Sequence, residues 1–270
     1  MGPMQHRRSR ALVLALSLAA TTACPPADPP PAPADPTAVE RERDQILRQP
    51  KRYSQFDEEI LIRHFFNDRR GGFFVDVGAA DYDQRSTTYY LEKHLGWSGI
   101  AIDALDEFRA GYEKHRPRTK FVSYIVTDHA GTREPFYRIP GMLPNSSAVK
   151  EYAEQWADYA KQVGGVGATG EPTVIEVPTI TLTKLLDDHG VDRIDLLSMD
   201  IEDGEPAALR GFDIDRFRPE LACVEAKPAN REALIAYFAE HGYQRLERYL
   251  QYDTVNYYFT PTRPTRQAGP

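Results

Sequence analysis

Two apolar runs that end in carboxylates or glycine constrain the fold most: Phe73-Phe74-Val75-Asp76-Val77-Gly78-Ala79 and Asp195-Leu196-Leu197-Ser198-Met199-Asp200-Ile201-Glu202. In an open parallel sheet, ligands bind outside the carboxyl ends of the strands. An apolar strand that turns abruptly acidic is therefore a candidate crevice wall. The chain has further such ends at Asp103, after Gly99-Ile100-Ala101-Ile102, and at Glu225, after Leu221-Ala222-Cys223-Val224. Spread along alternating strand and helix patterns, they predict an α/β fold with a cofactor crevice of the nucleotide-binding kind.

The pattern between these ends supports that class. Ile60, Leu61, His64 and Phe65 follow Asp57-Glu58-Glu59 at helical spacing, which predicts an amphipathic helix with acids at its N-terminal end. Strands are expected at 73–77, 99–103 and 121–126, with helices at 88–95 and 107–115 between them, a βαβαβ half-sheet. A short strand is expected at 134–139. Beyond it come a helix at 181–189, a strand at 194–201, a short helix at 206–210, a strand at 221–225 and a helix at 230–241 closed by Gly242. Residues 243–250 and 254–260 read as a closing antiparallel pair. Between Pro140 and Pro178 the pattern loosens, with Gly164-Gly165-Val166-Gly167 inside it. Tyr152, Trp156, Tyr159 and Val163 share one helical face there, an arrangement expected to pack into the core and placed where a lid would lie.

The ends of the chain read differently. Arg7, Arg8 and Arg10 precede an apolar stretch from Ala11 to Ala20 and then Thr21-Thr22-Ala23-Cys24. That is the layout of a secretory signal over 1–23, too short for the roughly 20 residues of a spanning helix. Cys24 after Ala23 resembles a bacterial lipobox, with Thr21 where that motif usually has Leu; lipidation at Cys24, cleavage without a lipid, and an uncleaved start are the open readings. Seven of the thirteen residues from Cys24 to Pro36 are proline. The segment 24–50 is accordingly expected to be an extended linker, 51–261 the single globular domain, and 262–270 a disordered tail. A lipid on Cys24 would hold the domain at a membrane, facing the periplasm or cell exterior; a leader that is not used would leave it in the cytoplasm.

The formal charge is −7, and a chain starting at Cys24 would carry 30 basic against 40 acidic residues. This balance gives no footprint for nucleic acid, which is held by clustered Lys and Arg. Two cysteines, Cys24 and Cys223, build neither a disulfide framework nor a zinc site.

Ser54-Gln55, Asp76-Val77-Gly78-Ala79, Tyr89-Tyr90-Leu91-Glu92-Lys93, Leu95-Gly96-Trp97, Gly99-Ile100, Thr181-Leu182 and Asp195 to Glu202 together resemble the FkbM-type S-adenosylmethionine-dependent methyltransferases. Glu205, Leu209-Arg210-Gly211-Phe212-Asp213 and the strand ending at Glu225 continue the likeness, which spans roughly Tyr53 to Phe259. The resemblance implies a class I, Rossmann-like methyltransferase fold with a seven-stranded, mostly parallel sheet whose last strand is antiparallel. It also implies S-adenosylmethionine as cofactor and a hydroxyl oxygen as the usual acceptor, on a sugar, glycan or small metabolite.

Residue chemistry assigns candidate roles. Gly78, Ala79 and the adjoining Asp81 form the turn that must bring backbone close to a cofactor. Asp76 would orient that turn or meet the cofactor's ammonium group. Asp103 is placed to accept hydrogen bonds from ribose hydroxyls. Thr127 and Asp128, after the third strand, would border the adenine. The alternative for Asp76, Asp103 and Asp128 is turn capping. Asp200 and Glu202, two apart, would share one strand face near the transferred methyl group and act as base and positioning carboxylates. Their alternative is capping of the following helix; a divalent metal among them is not required by the spacing.

Departures from the family pattern matter for the cofactor site. Where these proteins commonly have Gly-Ala-Asn-Asp-Gly, the chain has Gly78-Ala79-Ala80-Asp81-Tyr82, so Tyr82 is expected to obstruct a turn that needs positive φ. The usual Glu-Pro after the second strand is Asp103-Ala104, and Asp203 replaces a glycine. S-adenosylmethionine is made in the cytoplasm, which conflicts with an exported domain. A membrane-tethered, non-catalytic binding domain is the alternative reading, and a dehydrogenase on the same sheet class a third.

Overall fold

The computed structural model describes residues 36–139, 145–163 and 172–263. The readings made on the leader, on Cys24, on the Gly164 to Gly167 segment and on the tail beyond Arg263 lie outside them. Seven strands form the main sheet, in the order β3-β2-β1-β7-β8-β10-β9. These are β1 (Phe73–Val77), β2 (Ser98–Asp103), β3 (Thr119–Ser123), β7 (Leu196–Met199), β8 (Leu221–Glu225), β9 (Tyr243–Arg245) and β10 (Asn256–Pro261). The first five named pair in parallel; β10 runs antiparallel to both β8 and β9. This is the expected seven-stranded, mostly parallel sheet. The chain order reverses around β1, between β2 and β7, and such a switch point opens a crevice at the carboxyl ends.

Period-two alternation sorts the strand residues onto two covered faces. Val75 and Val77 of β1, Leu197 and Met199 of β7, and Ala222 and Val224 of β8 enter one core. Phe74, Leu196, Leu221 and Cys223 enter the other, against helices α2 (Glu58–Phe66) and α3 (Tyr89–Leu95). Both faces being apolar is why these strands read as nearly continuous hydrophobic runs. The first core is closed by α6 (Leu182–Asp188), α7 (Glu205–Arg210), α8 (Ile214–Phe217) and α9 (Arg231–Glu240).

Three differences from the sequence reading have physical causes. Pro36–Ile46 forms helix α1 within the segment expected to be a linker; Pro36 opens it, where its missing N–H costs nothing, and Ile46 is buried. The expected strand over 121–126 divides at Tyr124. Its second part, β4 (Ile125–Val126), joins β5 (Arg133–Arg138) and β6 (Thr173–Ile180) in a separate three-stranded sheet, order β4-β6-β5. The closing pair is shorter than expected because a 3-10 turn, Glu247–Gln251, follows β9. Helix α4 (Arg109–His115) and helix α5 (Lys150–Val163) complete the fold. Among the described residues, no helix is long and apolar enough to cross a membrane.

Candidate functional site

The turn after β1 is built by the end of β2. Gly78 N–H and Ala79 N–H both donate to the Ile102 carbonyl, at 2.8 and 3.1 Å, and Ala80 N–H donates to Asp103 Oδ2 at 2.9 Å. The buried Tyr112 hydroxyl donates to the Ala79 carbonyl at 3.2 Å. Gly78 has φ +82°, and a Cβ there would lie 1.7 Å from the Asp200 carbonyl oxygen. Only glycine lets the β1 and β7 ends approach this closely.

The chain's second positive φ in this turn falls on Ala80, at +46°, not on Tyr82. The expected obstruction by Tyr82 is therefore corrected. Its ring leaves the crevice and stacks on His115, centroids 4.6 Å apart, over Gly111, where a Cβ would come 2.6 Å from the Tyr82 ring.

Two cavities share this turn. A narrow slot of about 60 Å³ is walled by Gly78, Ile102, Asp103, Ala104, Tyr124, Ile125, Val126, Ile201 and Gly204. A larger cleft of about 710 Å³ is lined by Gln55, Phe56, Ala79, Asp81, Arg85, Phe108, Arg138, Asn145, Tyr152, Trp156, Glu225 and Lys227. Gly78, Ala80, Asp200 and Glu202 are walls of both. The slot offers apolar side chains for a flat ring, with Asp103 at the end of β2 on one side and Asp200 and Glu202 on the other. Asp103 already accepts from Ala80 N–H and from Leu105 N–H, at 2.9 and 2.8 Å, so capping and ligand contact are not exclusive: each oxygen keeps a second lone pair. Burial raises its pKa to about 6, against the opposing pull of those two amides.

The other proposed cofactor residues separate. Asp81 reaches the cleft, where its Oδ1 accepts from the Asp83 and Gln84 amides in a side-chain turn. Asp76 lines neither cavity. It shares the Phe74 face of β1, is buried, and accepts from Thr88 Oγ1 at 2.7 Å ahead of α3; burial raises its pKa despite that bond and nearby Arg116. Thr127 and Asp128 also fall outside both cavities. Thr127 N–H is bonded to the Ile180 carbonyl, and Asp128 pairs with His129 and Arg210 on the surface. Tyr124, Ile125 and Val126 border the slot instead, because the chain has already crossed into the second sheet.

On the far side of Gly78, the acidic residues converge by a route the sequence did not show. Strand β7 ends at Met199, and Glu202 and Asp203 both take left-handed φ, at +57° and +74°. The turn, fixed by Ser147 Oγ donating to the Glu202 carbonyl at 2.8 Å, carries Glu202 back beside Asp200 and the end of β8. Carboxylate oxygens of Asp200, Glu202 and Glu225 lie within 4.8 Å of one another. At an effective dielectric of about 20, like charges at this separation repel by roughly 3 kcal/mol per pair. Asp200 opens into both cavities. The protein packed around it, together with the Glu225 and Glu202 charges, pushes its pKa well above the usual carboxylate range.

Lys227 moderates this repulsion. Its Nζ lies 2.7 Å from Glu225 Oε2, donates to Glu202 Oε2, and sits 4.2 Å from the centroid of the Tyr152 ring. Burial disfavours its charge, but Glu202 and Glu225 outweigh that and raise its pKa. Glu205, by contrast, belongs to the frame: its oxygens accept from Ile201 N–H and Asn230 Nδ2, both at 2.9 Å, and burial raises its pKa to about 7. Lys227 and Tyr152 are the site residues that sequence reasoning missed. Lys227 follows Glu225 by two, the spacing that keeps side chains on one side of an extended chain, and that was the available signal. Tyr152 and Trp156 line the cleft and Tyr159 is exposed, so the aromatic stripe on α5 is a wall and not simply core.

A glycine turn under the reversal point, an acid at the end of β2 and a second acid group at the end of β7 define a class I methyltransferase architecture, with the apolar slot lying between them. The Methyltransferase FkbM domain pattern matches residues 76–245, more than half of the chain, and this chain belongs to that family. Its cofactor is S-adenosylmethionine. Among solved structures, it is similar to a TehB-like SAM-dependent methyltransferase from Corynebacterium glutamicum, with 13% identity over 84% of this chain and 100% of that one and a TM-score of 0.42. It is also similar to a precorrin-6y C5,15-methyltransferase from Geobacter metallireducens, with 9% identity over 83% and 86% and a TM-score of 0.38. The 1,6-didemethyltoxoflavin-N1-methyltransferase from Burkholderia thailandensis follows at 13% identity over 87% and 92%, with a TM-score of 0.35. No curated protein matches the chain.

Proposed function

We propose that the chain is an O-methyltransferase that modifies a hydroxyl on a sugar, glycan or small metabolite held in the 710 Å³ cleft. The observation that carries this reading is the position of Asp200, a wall of both the cofactor slot and the cleft. Bound S-adenosylmethionine supplies an electrophilic methyl carbon on a positively charged sulfur. Asp103, Gly78, Ile125, Val126 and Ile201 would hold its nucleoside part in the slot.

The chain's own contribution is positioning and proton removal. A hydroxyl attacks well only when its oxygen is held in line with the methyl carbon and its proton has an acceptor. An Asp200 carboxylate oxygen at the junction of the cavities takes that proton. Burial and the Glu225 and Glu202 charges beside it raise its pKa above the usual carboxylate range, which makes its ionised form a stronger proton acceptor. Trp156, Phe56 and Phe108 offer apolar faces to the acceptor, while Gln55, Asn145 and Arg85 offer hydrogen bonds around its rim.

Asp200→Asn tests the assignment. Expected is an S-adenosylhomocysteine affinity within about threefold of the parent by calorimetry, with transfer of labelled methyl to a panel of sugars and polyols down by about 100-fold or more. Undiminished turnover would remove Asp200 from the base role. A folded parent protein that binds no S-adenosylhomocysteine would remove the methyltransferase reading itself.

A further inference from the structure

We propose that Lys227 is a built-in cation: its ammonium group takes the place a divalent metal ion would occupy among Asp200, Glu202 and Glu225, so that the acceptor site works without metal and Asp200 is the carboxylate left facing both cavities. The inference rests on the acceptor-cleft reading and adds a positioning residue to it.

The geometry gives the reasons. Three carboxylates with oxygens inside 4.8 Å have the span of a hard-cation ligand set. The space is not left to solvent. Lys227 Nζ contacts two of the three, Glu202 and Glu225, and the Tyr152 ring lies 4.2 Å below it as a third, uncharged wall. Glu225 Oε2 is buried, and the Lys227 ammonium 2.7 Å away is the charge that faces it. A flexible ammonium with three donors suits such a position among carboxylates.

The arrangement also sorts the acids. Glu202 is tied to Lys227 and to the Tyr152 hydroxyl, and Glu225 to Lys227. Among the described residues Asp200 has no ammonium partner; it hydrogen-bonds Glu225 and faces the cleft and the slot together. A metal ion bound by all three would draw Asp200 into its coordination sphere and take away the free oxygen that accepts a proton. A lysine tethered at the end of β8 holds two acids and leaves the third.

The test uses the full chain and Mn²⁺ as the probe, read by the loss of the free-ion electron paramagnetic resonance signal. Expected is no uptake by the parent protein at millimolar Mn²⁺, and uptake of one equivalent by Lys227→Met at an affinity at least about 30-fold above any parent binding, with the uptake lost again when Glu225→Gln is added. Lys227→Arg, which restores a cation, should behave as the parent. Lys227→Asn is the second neutral variant if Lys227→Met fails to fold. One equivalent bound by the parent and abolished by Glu225→Gln would overturn the proposal, because the trio would then be a metal site. Folded neutral variants that gain no Mn²⁺ uptake would overturn it too. S-adenosylhomocysteine calorimetry on the same samples separates these outcomes from failure of the methyltransferase reading, since a parent that takes up no cofactor product leaves the Mn²⁺ result unchanged.

Discussion

Strands β7 and β8 carry acids at both of their ends, and the two ends are treated in opposite ways. At the lower end, Asp195 and Glu220 face Arg69 and Arg193, with Arg69 at 3.2 and 2.9 Å and Arg193 at 2.8 and 2.5 Å from the two carboxylates. Two charges answer two. Asp195 also accepts from Phe73 N–H at 2.8 Å, tying β7 to β1. At the upper end, three carboxylates, Asp200, Glu202 and Glu225, cluster beside one ammonium, Lys227, which contacts only the last two. The balanced end holds the sheet together. The unbalanced end stores repulsion beside a cavity, which a fold tolerates where the strain serves a ligand or a reaction.

The comparison predicts that the upper end has no steric slack, and Gly78→Ala is the hardest way to test it. A Cβ 1.7 Å from the Asp200 carbonyl must push β1 and β7 apart, at a residue that also needs φ +82°. The expected cost is about 3 kcal/mol or more, seen as a lowered urea midpoint, with S-adenosylhomocysteine binding lost in whatever remains folded. A variant with the parent's midpoint and affinity would mean that the two strand ends can separate without consequence.

A smaller but cleaner separation comes from pH. Glu205 braces the upper end, and burial raises its pKa from 4.5 to about 7. The folded state thus holds this proton more tightly than the unfolded chain, so stability from this group is full below about pH 4.5 and declines as pH rises to about 7. Relative to Glu205→Gln, which does not titrate, the parent's unfolding free energy should fall by about 3 kcal/mol between these limits. A difference between the two proteins that stays constant with pH would show that folding leaves the Glu205 pKa unshifted.

The same contrast explains what the sequence disclosed. The boundaries of β1 and β8 were legible because apolar runs bounded by turn residues have one reading, a strand covered on both faces. The strand-end acids were equally visible, but their destinations were not. Asp76 has the same sequence context as Asp200, an acid closing an apolar run, yet alternation turns it toward Thr88 under α3. That fate could have been read from the parity it shares with Phe74. The convergence of Glu202 on Asp200 could not, since it depends on two successive left-handed residues, and Glu, unlike Asp, has no leaning toward left-handed φ. Thr127 and Asp128 were misplaced for a third reason: a strand that changes sheets at Tyr124 leaves no mark in hydrophobic periodicity.

The mildest test asks whether the upper end's strain is all functional. Asp203 holds φ +74°, a conformation that favours glycine, and its Oδ1 is buried without a hydrogen-bond partner among the described residues. Two penalties fall on one residue: a left-handed backbone and a desolvated oxygen. Glycine would remove both and give back some of the gain through its greater freedom when unfolded. Asp203→Gly should therefore be stabilised by about 1 kcal/mol, measured by urea unfolding at neutral pH, with methyl transfer unchanged. Stabilisation accompanied by lost turnover would move Asp203 from a residue the turn merely tolerates to one the acceptor site uses, and would place its strain on the functional side of the comparison.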